Sequence, residues 1–258
     1  MSFFTARGDG FEPSELTRGP WDPDAQHAGP PAALLGRAVE RCGDPAGRQV
    51  GRITFEILRP VPLAPLTAAA RIVRPGRSVE LVEAELASGD EPIMRATAWR
   101  LVTQPTDLGD ATHADAPPHG PADGEERDFF PTGQAVGYHT AMEYRFVEGS
   151  FLEPGPAVVW MRMRHPLVDD EPPSPLQRVL IAADSGNGVS AALDYHRYVF
   201  INTDLSVHLH RLPATEWVCL EAVTRLDEAG VGMSDTLLWD EGGRIGRAAQ
   251  TLLVRRRP

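Results

Sequence analysis

Apolar residues along the chain follow two different periods. Leu34, Leu35, Ala38, Val39 and Cys42 lie on one face at helical spacing, just after Pro30-Pro31, a pair suited to a helix start. Leu176, Val179, Leu180 and Ala183 repeat that stripe after Pro172-Pro173-Ser174-Pro175, with Gly186 and Gly188 placed to stop the helix. Behind each helix the period falls to two. Strands are expected near 50–58, 65–74, 78–88 and 92–103, and again near 202–212, 215–226, 230–240 and 244–255. Two more, near 138–147 and 157–165, precede the second helix. The stretch 104–131 is crowded with Pro, Gly, Asp, Ala and His and lacks periodicity, which predicts a linker between a unit at 1–103 and a unit at 132–258.

The two units share more than their order of elements. Arg59-Pro60-Val61-Pro62 has a counterpart in Arg211-Leu212-Pro213, and Arg95-Ala96-Thr97-Ala98-Trp99-Arg100-Leu101-Val102 has one in Arg247-Ala248-Ala249-Gln250-Thr251-Leu252-Leu253-Val254. Both pairs are separated by 152 residues, the mark of a duplication. One helix followed by an antiparallel meander buries its apolar stripe most simply when the sheet wraps around the helix. That is the hotdog arrangement, so the expected fold class is α+β, a double hotdog whose two units pair within one chain.

Composition narrows the chemistry. With 42% hydrophobic and 24% charged residues the chain has the makings of a globular protein with a sizeable core. A net charge of -11 argues against a nucleic-acid partner. All 25 basic residues are arginine, which excludes Schiff-base and P-loop lysine chemistry. An anionic ligand would have to be met by local arginines such as Arg71, Arg74 and Arg77. The two cysteines, Cys42 and Cys219, are far apart and form neither a disulfide framework nor a zinc motif. The opening residues do not read as a signal peptide and no apolar run is long enough to span a bilayer, so a cytoplasmic protein without a membrane partner is expected.

Three polar residues stand on faces that should be buried. Thr224 shares its strand face with Val218, Leu220 and Ala222, and Gln250 shares its own with Ala248, Leu252 and Val254. Asp184 lies at the edge of the second helix's stripe. Each also has an ordinary structural reading: a Thr bonded to a nearby carbonyl, a solvated edge Gln, an Asp in the turn with Ser185-Gly186-Asn187. The position matching Gln250 in the first unit is Ala98, so Gln250→Ala is expected to cost activity and little stability.

The chain resembles the thioesterase II (TesB-like) acyl-CoA thioesterases. The resemblance rests on an ordered series: His27-Ala28-Gly29-Pro30-Pro31, Phe55-Glu56-Ile57-Leu58-Arg59-Pro60, Thr203-Asp204-Leu205-Ser206-Val207-His208-Leu209-His210-Arg211, Glu216-Trp217, and Gly242-Gly243-Arg244-Ile245-Gly246-Arg247-Ala248-Ala249-Gln250. It implies hydrolysis of a fatty acyl-CoA, with an Asp, a Ser/Thr and a Gln holding and activating water. Those roles fall on Asp184, Thr224 and Gln250, although the residues around Asp184 depart from the pattern and Arg225 is an alternative to Thr224. Gly29, with its backbone N–H at a helix start beside two prolines, is the expected oxyanion donor, and His27 is placed with it on the substrate side.

Two other functions compete. The Asp22-x4-His27 spacing is similar to that of hotdog enoyl-CoA hydratases, and the unusual surroundings of Asp184 would suit an acyl-CoA-binding protein without catalysis. His208 and His210 share a strand face but lack a third ligand, so neither a metal nor a cofactor is expected. The expected partner is the acyl-CoA itself, and open sheet edges make a homo-oligomer a possible further association.

Overall fold

A computed structural model describes residues 1–109, 112 and 115–257. The first part of the chain forms β1 (Phe4–Arg7), β2 (Gly10–Pro13), helix α1 (Gly29–Arg41), and a meander of β3 (Arg48–Ile57), β4 (Leu66–Arg74), β5 (Val79–Ser88) and β6 (Glu91–Val102). Then come a helical turn α2 (Tyr138–Ala141), β7 (Met142–Glu148), β8 (Ala157–Met163), helix α3 (Pro175–Ala183) and a second turn α4 (Gly186–Val189). The chain closes with β9 (Tyr198–Asn202), β10 (Asp204–Leu209), β11 (Val218–Leu226), β12 (Val231–Asp240) and β13 (Gly243–Arg256). The strands form one antiparallel sheet in the order β1-β2-β4-β5-β6-β3-β10-β13-β12-β11-β8-β7, with β9 also on β13. Helix α1 packs on β3, β4 and β5, α3 packs on β8 and β11, and the two helices pack on each other.

The 152-residue spacing is preserved in the register of every meander pair, except past a bulge near Arg74 that the second half lacks. Thr54↔Thr97 recurs as Ser206↔Ala249, Val82↔Ala98 as Ser234↔Gln250, and Ala70↔Ala84 as Ala222↔Thr236. The two halves meet where β3 pairs with β10, and there Thr54 lies opposite Ser206, its own duplicate. A local two-fold in an antiparallel ladder relates directly opposed residues, so the pseudo-symmetry axis passes between these two. Their hydroxyls are hydrogen-bonded at 3.1 Å.

Helices α1 and α3 run antiparallel and close together. A Cβ on Gly29 would lie 2.5 Å from the Ile181 carbonyl oxygen, and one on Gly36 would collide with the Leu180 side chain. Glycine at these two positions brings the start of α1 against the end of α3. Across the other end, Arg37 and Arg41 grip Glu171, and Ser174, which caps α3, donates its hydroxyl to Glu40 at 2.7 Å. Burial pushes the Glu40 carboxyl up, against the hydrogen bonds from Ser174 and Gln177 and the charge of Arg41 that pull it down.

Four details differ from the sequence expectation. The strand expected near 138–147 opens as the turn α2 and is extended only from Met142. The strand expected at 202–212 arrives as β9 and β10, interrupted at Thr203, the counterpart of a bulge at Gly51 in β3. Gly186 does not end the helical path but opens α4, for a steric reason given below. Strands β1 and β2 come from a segment without strand periodicity; buried Phe3 and Phe4 anchor it, and Phe4 bridges to Val168.

Candidate active site

The close approach of the two helices brings His27, just before α1, to Asp184, the C-cap of α3. Asp184 is only 5% exposed. Its Oδ2 lies 3.1 Å from His27 Nδ1, while Oδ1 accepts from Asn202 Nδ2 at 2.8 Å and from Gln250 Nε2 at 3.3 Å. Two side-chain amides, and His27 when its Nδ1 carries the proton, therefore donate to one buried carboxylate. A carboxylate offers about four acceptor directions, so this clamp leaves about one free.

Gln250 is fixed as firmly as the group it holds. Its Nε2 also donates to the Asp184 carbonyl at 3.1 Å, and its Oε1 accepts the Asn187 N–H at 3.1 Å. The second contact exists because α4 lies directly on β12 and β13. A Cβ on Gly186 would sit 2.6 Å from Thr236 Oγ1 and 3.2 Å from both Gln250 Oε1 and Ser234 Oγ, so only glycine lets the turn settle there. Ser234 is fully buried, and its hydroxyl has no hydrogen-bond partner among the described residues.

His27 stacks on Tyr138 with ring centroids 3.8 Å apart and planes 13° from parallel. The Tyr138 hydroxyl donates to the Ile181 carbonyl at 2.7 Å, so at its 2.9 Å contact with Ser185 the serine must be the donor. Burial drives the Tyr138 phenol far up, out of any neutral-pH titration. Burial also lowers the His27 pKa and so favours the neutral ring, opposed by the charge of Asp184. Its Nδ1 faces two groups at once, because the Gly29 N–H also points at it from 3.1 Å. Only one of these contacts suits a given protonation of Nδ1: a bare nitrogen accepts from Gly29, whereas an N–H donates to Asp184 and leaves the Gly29 amide free.

The sequence-expected residues thus separate. Asp184, Gln250, His27 and Gly29 come together. Thr224 is bonded to Ser190 at 2.9 Å and, among the described residues, makes no hydrogen bond to Asp184 or Gln250. Since Ser190 donates to the Gly186 carbonyl at 2.8 Å, Thr224 is the donor, and it steadies α4. Asp22 is exposed and accepts the Asp24 N–H at 2.9 Å, so His27 is paired with Asp184 rather than with Asp22 as a hydratase reading requires. Arg71 pairs with Glu83, and Arg74 lies over the Trp99 ring. No group of three metal-binding side chains gathers among the described residues.

Asn202 was missed by sequence reasoning. The signal was available in the duplication: 152 positions earlier stands Val50, a buried apolar residue. A half-buried Asn where the repeat has Val marks a position with a polar task.

Two family models match the chain, one described as the acyl-CoA thioesterase N-terminal domain over residues 17–101 and one as the acyl-CoA thioesterase C-terminal domain over residues 113–254. No curated protein sequence matches. Among solved structures, a proposed thioesterase II from Thermobifida fusca superposes with a TM-score of 0.76 at 16% identity, covering 98% of this chain and 94% of the other. A hot dog fold protein from Alicyclobacillus acidocaldarius gives 0.73 at 18% identity, with 99% and 96% covered. An acyl-CoA thioesterase II from Mycobacterium marinum gives 0.66 at 16% identity, with 98% and 94% covered. These likenesses establish the double hotdog fold.

Proposed function

The chain belongs to the acyl-CoA thioesterase family and is a thioester hydrolase, and we propose that Asp184, clamped by His27, Asn202 and Gln250, is the base that activates water against an acyl-CoA. The observation that carries this reading is the buried carboxylate with about one acceptor direction left over. A water hydrogen-bonded there gives its proton to Asp184 as its oxygen attacks the thioester carbonyl carbon. Asn202 and Gln250 hold the carboxylate in the attack geometry. Gln250 is itself pinned by α4, which Thr224 supports through Ser190.

The attack places negative charge on the carbonyl oxygen, and preorganised N–H groups stabilise it. With the single ring proton on Nδ1, His27 donates to Asp184 and the Gly29 N–H is free for that oxygen. The tetrahedral species collapses as the C–S bond breaks, and the CoA sulfur recovers the proton that Asp184 took from water. The products are the free acid and CoA. A fatty acyl-CoA and a cytoplasmic setting fit this chemistry, and the two free cysteines suit a reducing compartment. No helix is long and apolar enough to cross a membrane.

Thiol release from a panel of acyl-CoA thioesters tests the assignment. Asp184→Asn keeps the side-chain shape and removes the base, so hydrolysis should fall about 10²–10⁴-fold with the melting transition retained. Undiminished release in that variant, or a 3-hydroxyacyl-CoA formed from an enoyl-CoA, would overturn it.

A further inference from the structure

A cleft of about 330 Å³ opens beside α4, walled by Trp21, Phe130, Phe151, Tyr195, Phe200 and Gly188. The rings pack on one another along one wall. Trp21 stacks on Phe130 at 5.2 Å and meets Phe200 edge-on at 5.4 Å, while Tyr195 tilts against Phe130 at 4.6 Å. Trp21 remains 44% exposed, so part of this aromatic wall is open to an incoming group.

The cleft and the Asp184 group are built by the same three segments, so the cleft lies beside the site. Trp21 lies on the stretch leading to His27, and Gly188 is in the turn after Asp184. Phe200 and Asn202 stand two apart on β9, on one face and about 7 Å from each other. The rim carries exposed Glu153 and Asp194, which repel the phosphates of CoA. The acyl end of the substrate, not its nucleotide end, therefore enters here. We propose that this cleft is the acyl subsite and that it selects acyl groups bearing an aromatic ring.

Size and chemistry agree. A dry cavity of about 150 Å³ holds a benzene molecule, so this cleft takes a ring with a short linker to the thioester. A straight chain of the same carbon number gains apolar burial in the cleft, whereas a planar ring adds offset or edge-to-face contacts with Trp21 and Tyr195, which are less buried than Phe130 and Phe200. The inference rests on the hydrolase site proposed above, because it assigns the acyl end of that site's substrate.

The test compares thiol release from phenylacetyl-CoA and octanoyl-CoA, whose acyl groups have equal carbon number. The ratio of their kcat/KM values should favour the ring by about tenfold, the scale of one aromatic contact. Trp21→Leu, at a position already partly exposed, should cut that ratio about fivefold or more, with Tyr195→Leu as a second variant and a melting curve for each. A wild-type ratio at or below one, or a ratio unmoved by both variants, overturns the ring preference while leaving the hydrolase assignment standing. If no thioester is hydrolysed, the hydrolase assignment falls instead, and calorimetric binding of phenylacetate against octanoate decides the ring preference alone: tighter phenylacetate binding supports it, and equal or weaker binding overturns it.

Discussion

Polar groups on the inner face of the first half's sheet hold the fold together. Arg100, 1% exposed, donates to the carbonyls of Val39 and Cys42 at the end of α1 and forms a close ion pair with buried Glu80. The matching positions in the second half, 152 residues on, are Leu252 and Gly232. There the polar groups sit on other rows: Asn202, Ser234, Thr236 and Gln250 stand where the first half has Val50, Val82, Ala84 and Ala98. Each half still sends a strand side chain to the end of its helix, Arg100 to α1 and Gln250 to the Asp184 carbonyl. The difference is that Gln250 also reaches the carboxylate beyond. One scaffold carries a structural polar cluster in one copy and, in the other, the cluster to which we assign the reaction.

The comparison can be broken most forcefully from the first half. Arg100→Leu copies the second half but strands Glu80 in the interior and leaves the α1 carbonyls uncapped, so denaturant melts should show a loss of about 3–5 kcal/mol. Thiol release per folded molecule should change far less, since no atom of the Asp184 group is touched. A fall in turnover matching the fall in stability would mean that the halves are not specialised in this way.

Gln250→Ala makes the reverse copy and should lower turnover about 10²-fold, the scale of a misplaced catalytic group. The sequence alone suggested that stability would hardly change. The hydrogen bonds correct that expectation: the Asn187 N–H and the Asp184 carbonyl lose their partner, at a cost of about 1–3 kcal/mol. Rates and melts measured side by side check both parts.

Thr224→Val separates support from chemistry. It should cost about 1 kcal/mol through the lost Ser190 contact and change turnover no more than about threefold. A hundredfold loss would instead place Thr224 on the reacting water.

The smallest effect is in pH. Burial lowers the His27 pKa from its usual 6.5, so as pH falls through that value the unfolded chain takes up the proton before the folded protein does. His27's stabilising contribution is therefore complete above 6.5 and is lost as pH drops toward its folded pKa. The fall in melting temperature between about pH 7 and about pH 5 should shrink in His27→Asn.

The meander strands and the repeat were legible because alternation and a fixed spacing are properties of sequence alone, and the register keeps 152 except past a bulge near Arg74 that the second half lacks. Asn202 was hidden at the end of a strand whose partner row is set by the Thr203 interruption, which no local pattern announces. Gly186 and Gly188 read as a helix stop because glycine is a poor helix former; Thr236 behind Gly186 is the reason glycine stands there, and that contact is tertiary. Trp21 and Phe130 come from stretches without periodicity, and Phe130 lies within the segment that reads as a linker yet is buried.

The β3–β10 junction has a temporal consequence. Strand β10 begins 147 residues after β3 ends. At about 5–20 residues per second, a ribosome leaves the open side of β3 waiting roughly 7–30 s for its partner. An unpaired strand edge is a template for any neighbouring chain, including another nascent copy of this one. Arg52 and Glu56, charged side chains along that edge, discourage such pairing during synthesis, before they become ordinary members of a central strand.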